Sequence, residues 1–74
     1  MDKLKISEDI NIIKYLKDNT LSLEVKGFIA FLKDLSDRKL DLTTNLLVEL
    51  SGISKDKAIA LMEKCIELGI ISYK

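Results

Sequence analysis

No histidine and no proline occur among these 74 residues, and there is a single cysteine, Cys65. Without histidine the commonest general base and metal ligand is missing. One cysteine builds no internal disulfide framework, which fits a reducing cytosol. Helical spacing places Cys65 inward, and no imidazole stands beside it to activate the thiol. The three glycines, Gly27, Gly52 and Gly69, lie too far apart for a phosphate-cradling loop. Nor do the carboxylates cluster at the spacing of metal ligands. These absences argue against an enzyme, a metal site or a bound cofactor. No apolar run approaches the roughly 18 residues of a membrane span. Met1-Asp2-Lys3-Leu4-Lys5 also lacks the apolar block of a signal peptide. The expectation is a soluble, cytoplasmic protein with no membrane partner.

Charge of one sign is also lacking: twelve cations balance twelve anions. Nucleic-acid binders usually carry a basic excess, because neutralised phosphates supply most of their sequence-independent affinity. Arg38 is the only arginine, the residue best shaped for bidentate contacts to guanine or phosphate.

What is present is aliphatic. Apolar residues make up 47% of the chain and aromatics 5%, so Leu, Ile and Val must build the core. A chain this short buries only about 60% of the surface its unfolded form exposes. One domain, residues 1–74, is all it supports.

Lys3-Leu4-Lys5-Ile6 alternates polar and apolar, as a short half-buried strand does. Ser7 offers a helix N-cap with Glu8 and Asp9 in the first turn, predicting a helix over 7–18. Ile10 and Ile12 also alternate there. Ser22 caps a second helix whose Val25, Phe28, Ile29, Leu32 and Leu35 form one stripe. Gly27 lies inside it, at a cost of about 1 kcal/mol relative to Ala; close approach of another backbone is the expected gain. Phe31 lies off the stripe and is expected under the first helix. After the polar turn Ser36-Asp37-Arg38-Lys39, Leu40-Asp41-Leu42 alternates as a very short strand.

Thr43 or Thr44 starts a third helix, stopped by Ser51-Gly52, and Ile53 is expected to plug the turn from inside. Ser54 caps a fourth helix that Gly69 ends. Ile70-Ile71-Ser72-Tyr73 then reads as a strand, rich in branched and aromatic residues.

Two helices joined by Ser51-Gly52-Ile53-Ser54, the second closing on Glu67-Leu68-Gly69-Ile70-Ile71, make a helix-turn-helix signature. Preceded by Leu21-Ser22-Leu23-Glu24-Val25-Lys26-Gly27-Phe28 and Leu40-Asp41-Leu42-Thr43, the stretch over 21–71 resembles the winged-helix domains that open phage and plasmid replication initiators and replisome organisers. The resemblance implies a mainly α fold: a small winged-helix-type domain with a short, reduced β-sheet. It implies that the fourth helix reads DNA, and that Leu47, Leu50, Ala58, Met62, Cys65 and Leu68 face the core or scaffold. A wing needs a second strand after Ile70-Tyr73. Lys3-Ile6 is expected to supply it, or else the last strand keeps an open edge that invites a second molecule.

A wheel at about 100° per residue turns Asp56, Ala60, Glu63 and Glu67 outward on the fourth helix, flanked by Lys57 and Lys64. Phosphate is repelled by such a face. Lys55 and Lys57 nevertheless sit at the helix N-terminus, which favours phosphate. The DNA-contact candidates are therefore Lys55, Lys57, Ala60 and Lys64, with Arg38, Lys39 and Lys33 as a second contact if their turn lies nearby. Leu46 and Ile59 are apolar where related sequences usually carry polar residues, and Ile66 adjoins Ile59. Either the first helix folds over these three, or they form a protein interface together with Tyr73. Two functions follow as expectations. The first is a non-enzymatic DNA-binding regulator of transcription, or replication accessory, of a phage or mobile element acting on double-stranded DNA. The second is an interaction module of the same fold, an inhibitor or adaptor for a host or phage protein, or a homodimer.

Overall fold

The computed structural model describes residues 3–74. In chain order it places β1 (Lys3–Ile6), α1 (Ile12–Leu16), α2 (Leu23–Asp37), β2 (Leu42–Thr43), α3 (Thr44–Ser51), α4 (Lys55–Glu67) and β3 (Ile71–Tyr73). The three long helices begin at hydroxyl caps. Ser22 Oγ accepts from the Val25 amide at 3.2 Å, Thr43 Oγ1 from Leu46 at 3.1 Å and Ser54 Oγ from Lys57 at 3.3 Å. Each satisfies a donor that the first turn leaves without a partner.

Glycine ends two of these helices. Gly52 takes the left-handed conformation (φ 71°) and breaks α3 from α4. Gly69 does the same after α4 (φ 79°), its amide donating to the Ile66 carbonyl while the Ile70 amide donates to Cys65. That pair of bonds is the Schellman motif, and it buries Ile70 beside Cys65. The fourth helix therefore stops within one residue of its expected end. α2 lacks such a stop: Arg38 caps it, and Lys39 follows at φ 55°, unusual for a residue with a side chain.

β1 is the middle strand of an antiparallel sheet ordered β2-β1-β3. Leu4 faces Leu42 on one side and Tyr73 on the other. The leading segment thus supplies the partner for the final strand, as expected. Its ladder runs one residue beyond the strand, because the Ser7 amide donates to the Ile70 carbonyl at 2.8 Å.

That bond corrects the reading of Ser7 as a helix cap. With Ser7 drawn into the sheet, Glu8 and Asp9 form a turn and the helix starts five residues late. Asn11 is the cap, its side chain accepting from the Lys14 amide at 3.2 Å. Ile10, read as helical, is buried from the loop, which accounts for its alternation with Ile12. α1 has only five residues and no fully buried one. It is held from outside: Lys26 Nζ donates to the Leu16 carbonyl at 2.9 Å, a cation at a helix C-terminus. Asp18 then turns the chain, accepting from the Thr20 hydroxyl (2.6 Å) and amide (2.9 Å). These hydrogen bonds, the hydroxyl's first, hold its carboxyl below the usual range.

The core lies between the sheet and α2. Leu4, Leu42 and Ile71 meet the full α2 stripe of Val25, Phe28, Ile29, Leu32 and Leu35. α4 closes it with Met62 and Cys65, and packs against both α2 and α3. From α3 only Leu47 is fully buried. Leu50 and Ile53, expected inside, are 44% and 38% exposed. An open groove separates the end of α3 and its turn from α2, so neither side chain is covered. Phe31 is likewise half-buried, facing those two residues across a groove and not α1.

Gly27 also departs from expectation, since a Cβ built on it meets nothing within 4 Å. No backbone of this chain approaches it. Gly27→Ala is expected to stabilise the dilute protein by about 1 kcal/mol, with a rise in melting temperature of roughly 4–8 °C by thermal denaturation.

Candidate interaction surface

The outward face of α4 is as acidic as its wheel predicts. Asp56, Ala60, Glu63 and Glu67 are all exposed. The flanking lysines are paired with anions: Lys57 Nζ lies 3.1 Å from Glu24 of α2, and Lys64 Nζ lies 3.7 Å from Glu67. Arg38 and Lys33 pair with Asp34 and Asp37 at 2.9 and 3.1 Å. Exposed pairs of this kind contribute little to stability, about 0–1 kcal/mol each. They do fix a carboxylate beside the cation a phosphate would need. Of the charged DNA-contact candidates, Lys55 and Lys39 have no ion-pair partner among the described residues.

Nor do the candidates converge. The Lys57–Glu24 bridge joins the first turns of α4 and α2. Arg38 and Lys39 follow the last turn of α2, and a 15-residue helix spans about 22 Å. The turn at 36–39 is therefore not near the start of α4, contrary to the expected second contact. Lys39 instead borders a depression of about 650 Å³ beside β1 whose rim mixes Lys5, Glu8, Asp37 and Lys74. Charges of both signs line it, so it selects no ion.

The expected protein-interface residues also disperse. Leu46 and Ile66 are half-buried and pack against the core, so they form no exposed patch. Ile59 is half-buried as well. α1 makes its main contact with α2. Tyr73 stands apart on β3, 57% exposed.

Its strand offers little edge. The Lys74 amide bonds to the Lys3 carbonyl and the Ser7 amide to that of Ile70. By the alternation of an antiparallel ladder, the main-chain groups of Ile71 and Tyr73 point away from β1. Ile71 is only 2% exposed, which leaves Tyr73 alone reachable by another strand. Edge pairing between two copies has almost nothing to hold.

A different surface assembles largely from apolar residues that were expected to be covered. Gly27, Phe28 and Phe31 of α2 face Leu50, Ser51 and Ile53 across a groove of about 460 Å³, with Leu61 contributed by α4. The Phe28 and Phe31 rings lie 5.8 Å apart at a tilt of 53°, within the range of favourable aromatic pairs. The opposite wall is braced by Ser51, whose hydroxyl donates to the Val48 carbonyl (2.6 Å) and accepts from the Ile53 amide (3.4 Å). Glu24 and Lys57 meet at the rim, so its charge cancels. Because Gly27 has no side chain, the groove stays open along α2. Next to it Leu23 projects into solvent, 85% exposed.

Most of the wall of this groove is apolar. Cys65, the single thiol, is fully buried, and desolvation pushes its pKa up to about 11 from 9.0. No group of three or more metal-ligating side chains occurs among the described residues. No described helix is long and apolar enough to cross a membrane. Leu23, Phe31, Leu50 and Ile53 carried a faint sequence signal: Leu23, Gly27 and Phe31 recur every four residues, off the buried stripe. Compared with protein-family models, with curated proteins and with solved structures, the chain finds no match in any of the three.

Proposed function

We propose that this chain is a non-enzymatic protein-interaction module on a winged-helix-type core, docking an apolar protein segment in the groove between α2 and the Gly52 turn. The order of its elements supports the core assignment: α3, the Gly52 turn and α4 form the helix-turn-helix, and β1 takes the place of a wing's return strand. One observation carries the function. The half-buried Phe31 and the exposed Leu50 and Ile53 surround a cleft with a charge-neutral rim, the composition of a protein-binding patch.

The DNA-binding regulator is the competing proposal. Lys55 favours it, an exposed cation at the N-terminus of α4 where phosphate binds readily. Against it stand the carboxylates of Asp56, Glu63 and Glu67 on the same helix and the pairing of Lys57 with Glu24.

Two assays on the intact chain separate them. Fluorescence anisotropy with duplex DNA at low salt is expected to show no binding that Lys55→Glu and Lys57→Glu abolish. Capture by the immobilised chain, from host extract or of its own untagged copy, is expected to resist nuclease and to be lost with Ile53→Asp. Salt-steep DNA binding lost in the lysine variants overturns the proposal in favour of the regulator.

A further inference from the structure

Resting on that docking reading, we infer that the occupant of the groove is a second copy of this chain. Two α2 helices cross antiparallel at Gly27, and Leu23 of each copy seats in the groove of the other.

Three features of one helix face lead there. Leu23, 85% exposed at the first position of α2, is by far the most exposed large apolar side chain among the described residues. Gly27, one turn on, carries the cost of an interior helical glycine, yet beyond its own helical turn nothing lies within 4 Å of the missing Cβ. Phe31, one further turn on, is half-buried and opens onto the groove. Residues four apart share a helix face, so Gly27 is the midpoint of a line running from a projecting side chain to a recess.

A projection and a recess on the same face are self-complementary under a two-fold axis. An axis through Gly27 sets Leu23 against the second copy's Phe31 and Glu24 against the second copy's Ala30, itself exposed. No like charges oppose along this line. The Glu24–Lys57 rim is neutral and the chain has no net charge, so two copies meet without repulsion. Glycine at the crossing lets the backbones approach. An unrelated partner would need to bring its own projection and would leave Leu23 in water; a second copy accounts for both features. From Leu23 to Phe31 the helix advances only about 12 Å. The contact is therefore small, and the dimer exchanges quickly with a dissociation constant of roughly micromolar order.

Sedimentation equilibrium of the intact chain, repeated with variants, tests this. The wild-type mass is expected to rise with concentration from the 8.4 kDa monomer toward twice that value. Leu23→Asp is expected to weaken association at least about a hundredfold, because the two-fold axis removes an apolar contact from each copy. It keeps the monomer folded, because the site is exposed and an acidic residue suits the first turn of a helix. Gly27→Cys is expected to form a disulfide-linked dimer under mild oxidation, since bridging needs Cα atoms within about 7 Å. Glu63→Cys on the outward face of α4 is expected to form no such disulfide, and buried Cys65 does not compete. A wild-type chain that remains monomeric at every concentration overturns the inference. So does a dimer that Leu23→Asp leaves intact, or cross-linking as fast through Glu63→Cys as through Gly27→Cys. If a monomeric chain still captures a host protein in an Ile53-dependent manner, only the second-copy assignment falls. If that capture is absent too, the docking reading falls with it.

Discussion

Leu47→Ala is expected to remove about 2–5 kcal/mol of folding stability, the range for truncating a fully buried leucine. At roughly 0.05–0.15 kcal/mol per residue, the stability available to 74 residues is about 4–11 kcal/mol. One substitution therefore takes a large share of it. The effect is concentrated because α3 has a single fully buried side chain, at 0% exposure. α3 hangs on Leu47, and through it the Gly52 turn keeps its place against α4. Leu50→Ala, three residues on and 44% exposed, is expected to cost well under half as much. Urea denaturation of the two variants reads the difference, with unchanged slope if the unfolded state is unaltered. Equal losses would mean that α3 docks through its other face.

A loss of similar size is expected from Leu4→Ala, again about 2–5 kcal/mol. Leu4 is 3% exposed in the central strand and lies between Leu42 and Tyr73. β2 and β3 are not paired with each other; within the sheet each pairs with β1. Shrinking Leu4 loosens the sheet at the point both pairings share. Lys5→Ala, one residue on with its side chain on the solvent face, is expected to stay within about 0.5 kcal/mol. A leading segment that merely lay against the domain would give small losses at both positions.

Local rules made most of the helical framework legible. Ser22, Thr43 and Ser54 are caps by chemistry, and Gly52 and Gly69 stops by conformation, so the bounds of α2, α3 and α4 could be read within a residue or two. The α2 stripe is right because a helix of that length has room for only one such face. The failures share a cause: burial depends on what stands opposite, and that information is not local. Ser7 has a good capping side chain, but a ladder bond to Ile70 claims its amide. Leu50 and Ile53 are apolar at a helix end and a turn, yet Phe28 and Phe31 stand opposite them only across an open groove. Gly27 reads as a site of close approach, and within one chain nothing approaches. The acidic face of α4 was legible because outward charges need no partner to define them. The groove was not, since Phe28, Phe31, Leu50 and Ile53 were each expected to be covered within the chain.

At issue is whether this molecule meets its partners through the apolar cleft beside α2 or through the exposed side of α4. Amide NMR spectra of one labelled sample address it directly, recorded first as protein concentration rises and then after duplex DNA is added. Rising concentration is expected to shift Leu23, Gly27, Phe31, Leu50 and Ile53, while DNA shifts nothing. Silent groove amides, with DNA-dependent shifts at Lys55, Asp56, Ala60 and Glu63, would contradict the account.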